Sequence, residues 1–186
     1  MTGGYSAVIA AQQATGPVKN TWTTAVTVIN PQALVTLPSN YLYLGKHLRV
    51  TAVMGVSNLI TAQNQFTFQV MMGSIVAWTS GAIACNTAAH TLLPAKLVVD
   101  LRVNTIGSGT SAHFIGSGQL SGIMWTYAAG ADAATGACLL VPITTPAEGT
   151  GFDSTIANIL DFWVGCQTSN AGNGVTVYEY YVEDLN

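Results

Sequence analysis

The chain has 186 residues, and only 7% of them are charged, against roughly a quarter in an ordinary soluble domain. Apolar residues make up 49% and the mean hydropathy is +0.41, yet no run approaches the roughly 18 uninterrupted apolar residues of a membrane helix. The net charge is −3, and Lys19, Lys46, Arg49, Lys96 and Arg102 are scattered, which excludes the basic patch of a nucleic-acid-binding domain.

The length fits one domain with a sizeable core. Cys85, Cys138 and Cys166 are odd in number and far apart. They form no zinc spacing and no complete disulfide framework, and are expected as free thiols in a chain made in a reducing cytosol. Met1–Ala14 has no positive n-region and does not read as a signal peptide.

In chain order, residues 1–16 have no clear strand pattern and are rich in small residues. They are read as an arm that reaches a neighbouring subunit, or as a frayed terminus. Residues 17–186 are expected to form one β-domain. Strands are predicted over 20–29, 33–37 and 47–56, with turn signals at Asn30-Pro31 and Pro38-Ser39-Asn40. Tyr41-Leu42-Tyr43-Leu44 alternates aromatic and aliphatic residues and suggests an interface strand or edge. Residues 56–62 have room for a short turn. In Gln65–Met72, Phe66, Phe68, Val70 and Met72 share a face. A strand over 75–78 follows. In Lys96–Val103, Leu97, Val99, Leu101 and Val103 oppose Lys96, Asp100 and Arg102. Period two with β-branched and aromatic residues means strands.

Beyond the Gly107-Ser108-Gly109 turn lies a strand over 112–124, in which Gly116 and Gly118 read as turns or bulges. Residues 126–137 are Ala-rich but cut by Gly130 and Gly136, and are expected as a loop. A strand over 138–143 follows. In Asn158–Cys166, Leu160, Phe162, Val164 and Cys166 form one face, with Ile159, Asp161, Trp163 and Gly165 on the other. In Val175–Val182, Thr176, Tyr178, Tyr180 and Val182 alternate with Val175, Val177, Glu179 and Tyr181. The Asn/Gly-rich loop between these two strands predicts a closing hairpin. Short strands without helical crossovers give an all-β, single antiparallel β-sandwich with Greek-key connections, jelly-roll-like.

Catalytic motifs are missing: there is no P-loop, no Gly-x-Ser-x-Gly elbow and no His-Glu-x-x-His. His47, His90 and His113 lack metal-ligand spacing. Glu148 and Asp153 share a Gly-rich loop and supply hard oxygens suited to calcium, but solvated loop carboxylates are the plainer reading. No enzyme activity, cofactor or metal is expected. The aromatic residues remain as candidates for contact surfaces: Tyr5, Trp22, Tyr41, Tyr43, Trp163 and Tyr181 are singled out.

Residues 151–164 (GFDSTIANILDFWV), then 168–173 (TSNAGN) and Val175-Thr176-Val177, resemble the C-terminal part of small jelly-roll structural proteins of tailed bacteriophages. There a Phe-Asp-Ser/Thr-Thr segment leads into a strand, a Ser/Asn/Ala loop and a closing strand. The resemblance covers about residues 107–184. It implies a virion component made in the host cytoplasm: a capsid decoration (cement) protein, often a homotrimer, that binds the major capsid protein on the outer capsid surface. The alternative is a head- or tail-fibre or minor tail module recognising host-surface carbohydrate. Neither reading calls for nucleic acid or a membrane as partner. Asp153 ahead of Ser154-Thr155 is expected to form an Asx-turn.

Overall fold

A computed structural model describes residues 6–59, 64–126 and 137–185. Two antiparallel sheets pack face to face. The larger has the order β1 (Ala7–Ala11), β13 (Gly174–Asp184), β5 (His47–Asn58), β8 (His90–Thr105), β9 (His113–Gly122) and β11 (Ala137–Val141), with β2 (Lys19–Asn20) also on β13. The smaller runs β10 (Trp125–Thr126), β7 (Ile75–Cys85), β6 (Gln65–Met72) and β12 (Asn158–Cys166), with β3 (Val26–Thr27) and β4 (Val35–Leu37) both on β12. A short 3₁₀ turn, Pro31–Ala33, precedes β4. The fold is therefore the expected all-β antiparallel sandwich.

The order follows from two crossings. Strand β5 passes into β6 of the other sheet, β6 and β7 pair, and β7 passes back to β8, which pairs with β5. The last two strands shadow the first pair: β12 lies beside β6 and β13 beside β5. The predicted closing hairpin is thus corrected. Residues 167–173 carry the chain from one sheet to the other, because the inward faces of β12 and β13 must meet across the core. The loop is held by an Asx-turn, Gly172 N donating to Asn170 Oδ1 at 2.9 Å, and by Asn173 Nδ2 on the Thr168 carbonyl at 3.0 Å.

Alternation decides most faces. Leu97, Val99, Leu101 and Val103 of β8 are buried, as are Phe66, Phe68 and Val70 of β6. In β13 the alternation slips. A bulge between Val177 and Glu179 puts Val175, Val177, Tyr180 and Val182 in the core and leaves Tyr178 outside. Tyr178 then lies over Gly55 of β5, where an added Cβ would stand 2.9 Å from its ring. The second correction concerns Gly116 and Gly118, which lie within the straight part of β9. Gly116 makes room for Trp78 from the opposite sheet, whose Nε1 donates to the Gly116 carbonyl at 3.2 Å. The expected loop over 126–137 falls largely outside the described residues; of the turn expected over 56–62, Val56–Asn58 instead continue β5, and residues 60–62 lie outside the described residues.

An aromatic series crosses the core. Phe66 and Trp125 meet edge-on at 6.2 Å, Trp125 and Phe68 at 5.8 Å, Phe68 and Phe162 stack at 6.3 Å, and Phe162 and Tyr180 at 6.0 Å. The Tyr180 hydroxyl is buried with no hydrogen-bond partner among the described residues, and burial pushes its pKa well above the usual tyrosine range. Two substitutions separate ring from hydroxyl. Phe162→Ala is expected to cost about 3–5 kcal/mol in urea unfolding. Tyr180→Phe is expected to leave stability unchanged or raise it by about 1 kcal/mol, because it deletes only an unpaired polar group. A marked loss in the second variant would mean that the hydroxyl is bonded after all.

Candidate functional site

The six contact candidates do not form one surface. Tyr5 lies outside the described residues. Trp22 is half-buried, with its ring 6.3 Å from Phe66 and its Nε1 donating to the Val164 carbonyl at 2.9 Å. Trp163 stands on the outer face of β12, its Nε1 on Asp161 Oδ2 at 2.6 Å. Asp161 also accepts from Thr27 Oγ1 at 2.9 Å and from the Phe162 amide at 2.7 Å, so this carboxylate ties β3 to β12. Tyr181 is half-buried on the outer face of the larger sheet, opposite Thr51 and Ala11. Among the described candidates, the structure brings together only Tyr41 and Tyr43.

These two tyrosines sit in the turn that leads into β5, in no strand. Lys46 Nζ lies 4.5 Å from the Tyr41 ring centroid and 4.9 Å from that of Tyr43. The same ammonium meets Asp184 Oδ2 at 2.7 Å, with both side chains largely buried. Tyr41 donates its phenol to that carboxylate oxygen, and burial together with Asp184 holds the phenol protonated well above its usual range. The cluster fastens the last strand to the start of β5. Tyr43 remains 47% exposed there, beside exposed Leu44. Ile106 and Ile156 are exposed at the same end, where Asn40 N donates to the Ser154 carbonyl and Ser154 N to that of Gly107.

The segment carrying the phage resemblance is built into this end. Phe152 is buried against Phe114, with ring centroids 5.2 Å apart, and pairs with Ala112. Asp153 Oδ1 accepts from the Thr155 amide at 2.8 Å and from its hydroxyl at 2.6 Å. This is the Asx-turn expected, and these bonds hold the Asp153 carboxyl below the usual carboxylate range. Glu148 instead accepts from Asn104 Nδ2. No group of three or more His, Cys, Asp and Glu side chains is arranged to hold a metal among the described residues, and no helix there is long and apolar enough to cross a membrane.

Two surface features went unnoticed in the sequence. The first is an open groove of about 940 Å³ on the outer face of the larger sheet. Its floor follows the register Arg49–Asp100–Ser117 and Val98–Gln119–Leu140 across β5, β8, β9 and β11, and the 142–146 segment walls it. Arg49 grips Asp100 through Nε at 2.7 Å and Nη2 at 3.0 Å, which raises the guanidinium pKa further. The second is a neutral flank. From Ser6 to Gly45 the only charged side chain is Lys19. That stretch supplies β1 and β2 on one edge of the larger sheet, and β3 and β4 on the adjoining edge of the smaller. The expected arm, in its described part, runs along β13 of its own chain. Gln12 N donates to the Tyr180 carbonyl and Gly16 N to that of Val177, each at 2.7 Å. The signal for the flank was available as the spacing between charges along the chain.

No protein-family model matches the sequence, and no curated protein matches it. Among solved structures the chain is similar to the CBM2 module of the evolved Dit of Lactobacillus casei BL23 phage J-1. The TM-score is 0.40 and the identity 12%, over 98% of this chain and 97% of that one. A likeness that weak assigns neither family nor function.

The Lys46 cluster is a test of how this end is held. Asp184→Ala takes the carboxylate from a buried ammonium and is expected to cost about 3 kcal/mol in urea unfolding, whereas a Lys46→Met/Asp184→Leu double variant recovers most of it. A loss in Asp184→Ala no larger than that of an exposed pair would mean that the cluster is solvated.

Proposed function

We propose that this chain is a structural protein of a tailed-phage virion: a capsid decoration subunit, assembled as a homotrimer, that binds the major capsid protein on the outer shell. One observation carries the assembly reading. Large apolar side chains are exposed in several regions: Tyr43, Leu44 and Ile106 at one end, Val18, Leu92 and Tyr178 at the other, Val8, Leu34 and Ile159 on the flank, and Leu140 in the outer-face groove. Scattered single apolar residues are ordinary, but grouped ones mark contact surfaces. Several neutral contact surfaces on one small domain suit a subunit with several protein neighbours. Their desolvation removes few ions from water. The phage assignment itself is supported by the resemblance over residues 107–184.

The experiment is sedimentation of the purified protein with empty shells of the phage that encodes it. The expected result is saturable co-sedimentation and a rise in the temperature at which shells disassemble. No binding to shells at micromolar protein would overturn the decoration reading.

Carbohydrate recognition is the second reading, and the outer-face groove favours it. The Arg49–Asp100 pair, Ser117 and Gln119 offer fixed donors and acceptors beside apolar Val98 and Leu140, a mixture suited to neutral hydroxyl-rich ligands. On a glycan array this reading expects selective binding that is lost in Gln119→Ala and Asp100→Ala. An array without signal removes it.

A further inference from the structure

We infer that the outer-face groove takes a saccharide bearing an acid group, whose oxyanion pairs with Arg102 while its neutral rings lie on the Val98–Gln119–Leu140 floor. The inference rests on the carbohydrate reading above and adds the class of glycan and the residue that selects it.

The groove does not end at Arg49 and Asp100. Past Asp100, Ser117 and Pro146, which belong to both, it opens into a second hollow of about 320 Å³, lined further by His47, Arg102 and Ile115. The register explains the join. Asp100 stands opposite Ser117, and two residues on, Arg102 stands between His47 of β5 and Ile115 of β9. Alternate residues of a strand share a face, so Val98, Asp100 and Arg102 line up along one floor. From Val98 to Arg102 is about 13 Å at the rise of a strand, longer than a single sugar ring.

The two arginines of this floor are in different states. Arg49 is occupied by Asp100 through two bonds. Arg102 is exposed and forms no ion pair among the described residues; its guanidinium reaches only Asn104 Oδ1, at 3.4 Å. Two arginines against one aspartate leave the lining with a charge of +1, in a chain whose net charge is −3. Glu148 is bridged to Ile115, but its carboxylate takes the Asn104 amide and does not line the hollow. A planar guanidinium matches a carboxylate or phosphate through two parallel bonds. Nearer the wall, Ser117 and Gln119 are exposed and make no side-chain hydrogen bond among the described residues, so both are open to ligand hydroxyls. An acidic peptide fits less well. The floor is the face of β8 and β9, whose backbone groups are taken up in their own ladder, and a peptide's amides would find few partners there.

The test is a glycan array carrying neutral, carboxylate-bearing and phosphate-bearing saccharides, probed with the wild type, Arg102→Gln, Arg102→Lys and Lys96→Gln. Lys96 is an exposed cation of β8 that does not line the groove. Binding is expected on acid-bearing glycans. It is expected to fall at least about tenfold in Arg102→Gln, the scale of one bond to a charged group, to fall less in Arg102→Lys, which keeps the charge without the planar fork, and to stay unchanged in Lys96→Gln. The acid carried by the hits, carboxylate or phosphate, identifies the source of the oxyanion. Added salt is expected to weaken the same hits in the wild type, a readout that needs no variant to fold. Hits confined to neutral glycans, or acid-bearing hits equally strong in Arg102→Gln, overturn this inference and leave the carbohydrate reading standing. Equal losses in Lys96→Gln and Arg102→Gln would mean diffuse attraction and overturn the site. An array without signal removes the carbohydrate reading, and this inference with it.

Discussion

The ladder between β5 and β13 is the constraint on which the remaining structure depends. It pairs Ser57 with Gly174 at one end and Leu48 with Asp184 at the other, joining segments more than a hundred residues apart in the chain. Such a contact is costly in loop closure and rewards the chain only when side chains on both faces are satisfied. On the inner face it sets Tyr180 against Phe162. At its end it delivers Asp184 to Lys46 and Tyr41. On its free side β13 receives β1 and β2. Without this register the N-terminal segment has no edge to lie on, and the neutral flank does not exist.

The bulge in β13 shows how local irregularity serves that ladder. A strictly alternating strand would put Tyr178, and not Val177, in the core. The extra residue re-phases the strand, so that two valines enter the core before the bulge and Tyr180 and Val182 after it. Tyr178 is expelled to the surface, where Gly55 gives its ring a flat seat. An exposed aromatic residue at that end is thus a consequence of core packing, and so is its availability for contact.

Periodicity made the long strands legible. The inward rows of β6, β8 and β12 are those that alternation indicates, because each strand is flat over that stretch and half-buried. What alternation cannot carry is pairing between distant segments. The closing hairpin failed on this ground, since nothing in the 167–173 loop says whether the chain returns to the same sheet or crosses to the other. Gly116 misled for a related reason: its lack of a side chain serves Trp78 on another strand, not a local turn. The aromatic candidates were chosen by residue type alone. Trp22 and Trp163 are occupied by hydrogen bonds to Val164 and Asp161, while the flank, which has no aromatic residue in β1 or β4, was missed because its signal is an absence spread along the first forty-five residues.

The same scarcity explains where the charges went. Lys46 and Asp184 pair at the end of the ladder, Arg49 and Asp100 pair across β5 and β8, and Asp161, Asp153 and Glu148 accept hydrogen bonds from Trp163, Thr155 and Asn104. Charged groups are being used to fix strands and turns within the chain, where a carboxylate has several donors and a charge-assisted bond is stronger than a neutral one. Solubility is then left to Thr, Ser, Asn and Gln on the outer faces. Such a surface is poorly defended against association, since few ions oppose its desolvation. For a protein that works alone this is a liability; for a subunit surrounded by neighbours it lowers the cost of every contact it makes.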